Sequence, residues 1–139
     1  MELGPLVDLP EWYWGVPYIG ERESGGFPRG NLSAGANCQR WAYEVLRHFG
    51  FTVPDLRSDE LWHDTVATRQ VDAPRPLDLV LYKGDADPFG AHVGVWTGDA
   101  VAHLCREVGR PTVWPQPEFD LRPRYAVRIG FKRPTLSTP

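Results

Sequence analysis

From Asn37 to Gly50 the chain reads Asn-Cys-Gln-Arg-Trp-Ala-Tyr-Glu-Val-Leu-Arg-His-Phe-Gly. Cys38, Trp41, Ala42, Val45, Leu46 and Phe49 fall at i, i+3, i+4, i+7, i+8 and i+11, which lines one face of a helix with apolar side chains. Arg40, Glu44, Arg47 and His48 fall off that stripe. Asn37 is suited to accept a hydrogen bond from the first-turn N–H groups. Gly50 is suited to the left-handed residue that ends a helix. The stretch therefore predicts an amphipathic helix with both ends marked. Cys38 is its first residue, at the end where unpaired N–H groups and the helix dipole favour a thiolate.

Outward toward the C-terminus, Ser58 reads as the cap of a second, shorter helix, with Asp59 and Glu60 in its first turn and Leu61, Trp62, Thr65 and Val66 facing inward. After Pro74 and Pro76 the pattern becomes short apolar runs: Leu79 to Tyr82, His92 to Trp96, Val101 to Leu104 and Arg124 to Phe131. Helices thus precede strands, and the fold class read from this order is α+β. The connection Thr97-Gly98-Asp99-Ala100 suits a hairpin. With a loop of two or four residues, Trp96 pairs with Val101, His103 lies opposite Gly94, and Cys105 lies opposite His92. His92, His103 and Cys105 then share one face, with the two histidines roughly 7 Å apart. A three-residue loop would put the histidines on opposite faces. Toward the N-terminus there is no sustained period, only an aromatic lead with Trp12, Tyr13, Trp14 and Tyr18, followed by a loop from Ser24 to Gly35. The sequence reads as one domain over 1–131 and a frayed polar tail over 132–139.

Composition narrows the function. The 139 residues carry a net charge of −3, and the basic ones are scattered, so no face invites a phosphate backbone and nucleic acid is set aside as partner. Glycine and proline number 14 each, which makes the domain rich in loops, while 6 Trp, 6 Phe and 5 Tyr supply a core. No apolar run approaches a membrane span. Glu2, Asp8, Pro5 and Pro10 do not read as a secretory signal, so the chain as given is cytoplasmic, mature, or delivered by another route. The two cysteines are too few for a disulfide framework, although a single bridge between them stays open.

A cysteine at a helix start with two histidines on one hairpin face supplies a nucleophile, a base and a group to orient the base. His48 and His63, on polar helix faces, read as structural. Cys38, His92, His103 and Cys105 are also zinc-type donors, but zinc ligands usually come in close-spaced pairs and Cys38 belongs to a distant element, so no metal and no cofactor is assigned.

These residues, together with Gly15-Val16-Pro17-Tyr18, Pro76-Leu77-Asp78-Leu79-Val80-Leu81-Tyr82 and His92-Val93-Gly94-Val95-Trp96-Thr97-Gly98-Asp99, resemble the NlpC-type cell-wall peptidase family over roughly residues 14 to 104. The resemblance implies a papain-like fold in which a helix carries the cysteine against an antiparallel sheet bearing the histidine. It implies that Cys38 is the nucleophile, His92 the general base and His103 the orienting residue, and that Tyr18 binds substrate or helps hold the oxyanion. The implied substrate is the peptide stem of peptidoglycan, cut between γ-linked D-glutamate and the following diamino acid. The family carries aspartate before the cysteine, where it is expected to pair with a substrate amine, and serine-glycine after it. Here Asn37 takes that substrate-binding position and Gln39-Arg40 follow. Leu77 stands where the family has glycine. Two other activities fit the same residues: an amidase or acyltransferase on another acyl group, and a non-catalytic binding domain using Trp12, Tyr13, Trp14 and Tyr18 as a ligand surface.

Overall fold

The computed structural model describes residues 3–20, 32 and 34–137. Its elements run α1 (Cys38–His48), α2 (Ser58–His63), β1 (Thr68–Val71), β2 (Leu79–Lys83), β3 (His92–Trp96), β4 (Val101–Leu104), β5 (Pro111–Trp114), α3 (Gln116–Asp120) and β6 (Val127–Pro134). Short 3₁₀ turns at Gly4–Asp8, Glu11–Gly15 and Pro123–Tyr125 complete the fold. The strands form one six-stranded antiparallel sheet in the order β1-β6-β2-β3-β4-β5. This is the expected α+β architecture, a cysteine-bearing helix on an antiparallel sheet.

Both faces of the sheet are covered. On one, Leu79, Leu81, Val93, Val95, Ala102 and Leu104 pack with Trp41, Ala42, Val45 and Leu46 of α1. On the other, Val80, Tyr82, Trp96, Val101 and Cys105 pack with Trp114, Phe119, Tyr125 and Phe131. Two-sided burial explains why Leu79 to Tyr82 is apolar throughout rather than alternating.

The ends of α1 form as their residues dictate. The Asn37 side chain accepts the Arg40 N–H at 3.0 Å, and Gly50 takes φ +94°. The polar face differs from expectation, because Arg40 and Glu44 are buried at 2% and 6% exposure. The aromatic lead lies across that side: Tyr13 packs against His48 at 5.6 Å, and its main-chain oxygen accepts the Trp41 indole N–H at 2.9 Å. Tyr13 is itself buried and Trp14 packs on Trp41 at 5.7 Å, so these aromatics are core, with Trp12 the exposed one among them. The loop read from Ser24 to Gly35 lies outside the described residues except at Leu32, Ala34 and Gly35.

Other boundaries shift for identifiable reasons. The cap of α2 is Arg57, whose N–H is taken by the Glu60 carboxylate at 2.8 Å. Ser58 is used elsewhere, donating to the Pro88 carbonyl and accepting the Ala91 N–H. The helix stops at His63 because the Asp64 carboxylate gathers the N–H groups of Val66, Ala67 and Thr68, which leaves Thr65 and Val66 exposed. Strands β1 and β5 and helix α3 were not read from the sequence. The run Arg124 to Phe131 begins as a 3₁₀ turn. Its strand continues through Pro134, paired with β1 at Lys132, Arg133 and Pro134. The tail therefore does not fray at residue 132: Lys132 is buried, with its ammonium on the carbonyls of Trp62 and Asp64. Residues 138 and 139 lie outside the described part.

Candidate active site

The hairpin takes the register that its four-residue loop requires, with Trp96 opposite Val101 and Val95 opposite Ala102. Thr97 closes the loop, its N–H donating to the Ala100 carbonyl at 2.9 Å and its hydroxyl accepting the Ala100 N–H at 3.1 Å. The consequence is the expected pair on one face: His92 Nε2 and His103 Nδ1 are 2.7 Å apart. Gly94 makes this approach possible, since a Cβ there would lie 2.5 Å from Val101 Cγ1 and 3.3 Å from His103 Cβ.

Cys38 and His92 line a single cleft of about 320 Å³ with Tyr18, Tyr82, Lys83, Arg124 and Tyr125. The Cys38 thiol lies within reach of the Val93 backbone, one residue beyond His92. A second cleft, of about 350 Å³, opens on the other side of Cys38, lined by Tyr18, Asn37, Gln39, Arg57, Asp59 and Phe89. Tyr18 and Cys38 belong to both, so Cys38 stands at the middle of a groove with two arms.

The hydrogen bond between the histidines constrains their tautomers. For His92 Nδ1 to act as a base toward the thiol, Nε2 must carry the ring proton and donate to His103 Nδ1. His103 then holds its own proton on Nε2, which among the described residues has no hydrogen-bond partner and lies amid the rings of Trp114 and Phe119, at 4.4 and 4.8 Å. Burial and the neighbouring His92 hold His103 well below the ordinary histidine range, so it stands beside His92 as a neutral ring.

The electrostatics of the thiol differ from the sequence reading. The helix start was expected to lower the Cys38 pKa, yet burial pushes it up to about 11, against backbone hydrogen bonds from Val93, Gln39 and Cys38 and the charge of Arg124. Burial likewise brings His92 down to about 4, with Glu107 opposing and Arg124 assisting. At neutral pH the resting pair is therefore thiol and neutral imidazole, so thiol chemistry at this site would need His92 to withdraw the proton as the sulfur attacks.

Of the remaining sequence candidates, Asn37 is spent inside the helix end: Oδ1 caps α1 and Nδ2 donates to Gln39 Oε1 at 3.0 Å. His48 and His63 are exposed and line neither cleft. Cys38 and Cys105 are both free thiols, and Cys105 is fully buried. Among the described residues, no three His, Cys, Asp or Glu side chains converge as a metal-binding group, and no helix is long and apolar enough to cross a membrane. Sequence reasoning missed Arg124, Tyr125, Glu107 and Asp59. Their separation along the chain from Cys38 and His92 left no spacing signal.

No protein-family model matches the chain, and neither does any curated protein. Among solved structures, the fold is similar to that of an NlpC/P60 family protein from Bacillus cereus ATCC 10987, with TM-score 0.59 and 22% identity. The match covers 87% of this chain and 36% of that one, so the chain spans about a third of that protein's length.

Proposed function

We propose that this protein is a cysteine hydrolase that cleaves an amide bond in the peptide stem of peptidoglycan, at the γ-D-glutamyl–diamino acid linkage, through a thioester on Cys38. The observation that carries the reading is a cysteine at a helix start sharing one cleft with a histidine whose far nitrogen is held by a second histidine. The resemblance of these residues to NlpC-type peptidases and the structural likeness to an NlpC/P60 protein support the substrate class.

In this mechanism His92 Nδ1 takes the thiol proton as Cys38 sulfur attacks the substrate carbonyl carbon. The Cys38 N–H, at the first position of α1 and without an intrahelical acceptor, is suited to hold the developing oxyanion, with Tyr18 beside it. His92 then returns the proton to the leaving amine as the C–N bond breaks. Water, deprotonated by the same imidazole, hydrolyses the thioester and restores the thiol. The two arms of the groove carry different charges, Lys83 and Arg124 in one and Asp59 with Arg57 in the other. Asp59 Oδ1 is buried and has no hydrogen-bond partner among the described residues, while Arg57 stands 3.6 Å from Glu60. In this reading Asp59 takes the substrate ammonium that neutral Asn37 cannot hold. The test is mass spectrometry of peptidoglycan fragments after incubation with the protein and with its Cys38→Ala variant. New fragments with a free γ-D-glutamyl carboxyl, seen with the wild type alone, are the expected result. An unchanged fragment pattern refutes the reading.

A further inference from the structure

One cluster at the cleft has no part in the mechanism above. Tyr125 is buried, and its ring lies 4.8 Å from that of His92 at an interplanar angle of 37°. Its hydroxyl donates to Glu107 Oε1 at 2.8 Å, and Glu107 Oε2 accepts from Arg124 at 3.3 Å. Burial and Glu107 raise the Tyr125 pKa, so the phenol keeps its proton and acts as the donor. Glu107 comes from the connection between β4 and β5, whereas Arg124 and Tyr125 come from the 3₁₀ turn before β6. Two chain segments that are distant in sequence thus meet at the open flank of the base.

The base needs what this cluster provides. When His92 takes the thiol proton it becomes an imidazolium, and its hydrogen-bond partner His103 is neutral and offers no countercharge. The groups that face His92 are Cys38 from α1, His103 from β4, Tyr125 and Arg124 from the turn, and Glu107 from the β4–β5 connection. The adjoining strand β2 brings Tyr82, a neutral phenol, and Lys83, whose ammonium is held by the Phe89 carbonyl and Asp85. Helix α3 contributes the Phe119 ring, 6.5 Å away. Glu107 is the carboxylate whose charge favours the protonated imidazole, and Arg124 opposes it. Burial raises the Glu107 carboxyl, but the Tyr125 hydroxyl, its own backbone N–H, Arg124 and His92 lower it further, so it is ionised at neutral pH.

We infer that Glu107, acting through Tyr125, is the anionic positioning residue of the His92 base: Tyr125 holds the imidazole face, and Glu107 supplies the countercharge that His103 lacks. The inference rests on the hydrolase reading for its purpose, but its test does not depend on a substrate. The probe is iodoacetamide, and the measurement is the rate of Cys38 alkylation between pH 6 and 8, located by peptide mapping of the full chain. Because the resting pair is thiol and neutral imidazole, the sulfur is alkylated as His92 withdraws its proton, so a countercharge that favours the imidazolium speeds the reaction. Glu107→Gln keeps the shape and removes the charge, so it should alkylate about three- to tenfold more slowly. Tyr125→Phe keeps the ring and loses the tether, so it should also be slower. Glu107→Asp restores the charge and should fall between Glu107→Gln and the wild type. A wild-type rate in folded Glu107→Gln, or equal slowing by Glu107→Asp and Glu107→Gln, overturns the inference. If Glu107→Gln does not fold, an unchanged rate in Tyr125→Phe overturns it and a slower one supports it. Failure of the hydrolase reading looks different: the alkylation differences persist, but no peptide is cleaved.

Discussion

Replacing His103 by Asn separates orientation from proton transfer. The two side chains branch at the same carbon, so Asn Oδ1 can occupy the position of His103 Nδ1, 2.7 Å from His92 Nε2. The acceptor survives. What disappears is the outer edge of the ring, including an Nε2 that has no hydrogen-bond partner among the described residues. Removing that buried group offsets part of the cost of the small cavity left beside Trp114 and Phe119. The orienting hydrogen bond is weakened rather than lost. A change of about 0.5 to 1.5 kcal/mol in such a bond corresponds to roughly a two- to tenfold loss in kcat/KM. His92→Asn removes the proton carrier and should cost about 10² to 10⁴, close to Cys38→Ala. The assay is kcat/KM on a γ-D-glutamyl–diamino acid peptide for the three variants, with and without EDTA, alongside circular dichroism to confirm folding. If folded His103→Asn falls as far as His92→Asn, orientation is not its task. If EDTA also abolishes wild-type activity, the histidines are ligands and the thiol mechanism is replaced.

With His92 lowered to about 4, stability should rise from pH 4 to 6.5. In that window the unfolded chain binds the proton that folded His92 refuses, so the contribution is full above 6.5 and is lost as pH falls. Thermal melts across this range should show the rise, and His92→Asn should reduce its slope, the remainder coming from buried His103; an unchanged slope in that variant refutes the assignment. Asp78 is 2% exposed and accepts both Nε and NH2 of Arg133, at 3.0 and 2.8 Å, together with the Arg75 N–H. Asp78→Ala leaves that guanidinium unpaired and should cost about 3 kcal/mol in urea denaturation, whereas a loss under 1 kcal/mol would mean the pair is dispensable. Gly94→Ala places a methyl group against Val101 and His103, and a cost of about 1 to 3 kcal/mol is expected from the shift of β4 away from β3. Equal melting temperatures for Gly94→Ala and wild type would show that the strands have slack there.

Helix α1 and the β3–β4 hairpin were legible because what makes them is local. The spacing of Trp41, Ala42, Val45 and Leu46, the Asn37 cap and the Gly50 ending lie within fourteen consecutive residues. The four residues from Thr97 to Ala100 set the register that brings His92 and His103 together. From these local signals the sequence determined the element that carries Cys38, the two histidines and their shared face. The tertiary structure decided the rest, because it depends on what distant segments bring near. Position on the helix alone predicts a lowered Cys38 thiol, but its desolvation comes from everything packed around it and outweighs the local N–H groups. Arg40 and Glu44 are polar letters on a helix face that the N-terminal aromatics cover. The final strand continues through Lys132 because β1, more than sixty residues earlier, pairs with it and Trp62 and Asp64 lend their carbonyls to the ammonium. Glu107, Tyr125 and Arg124 reach His92 only when the β4–β5 connection and the turn before β6 close over it, a meeting that no periodicity encodes.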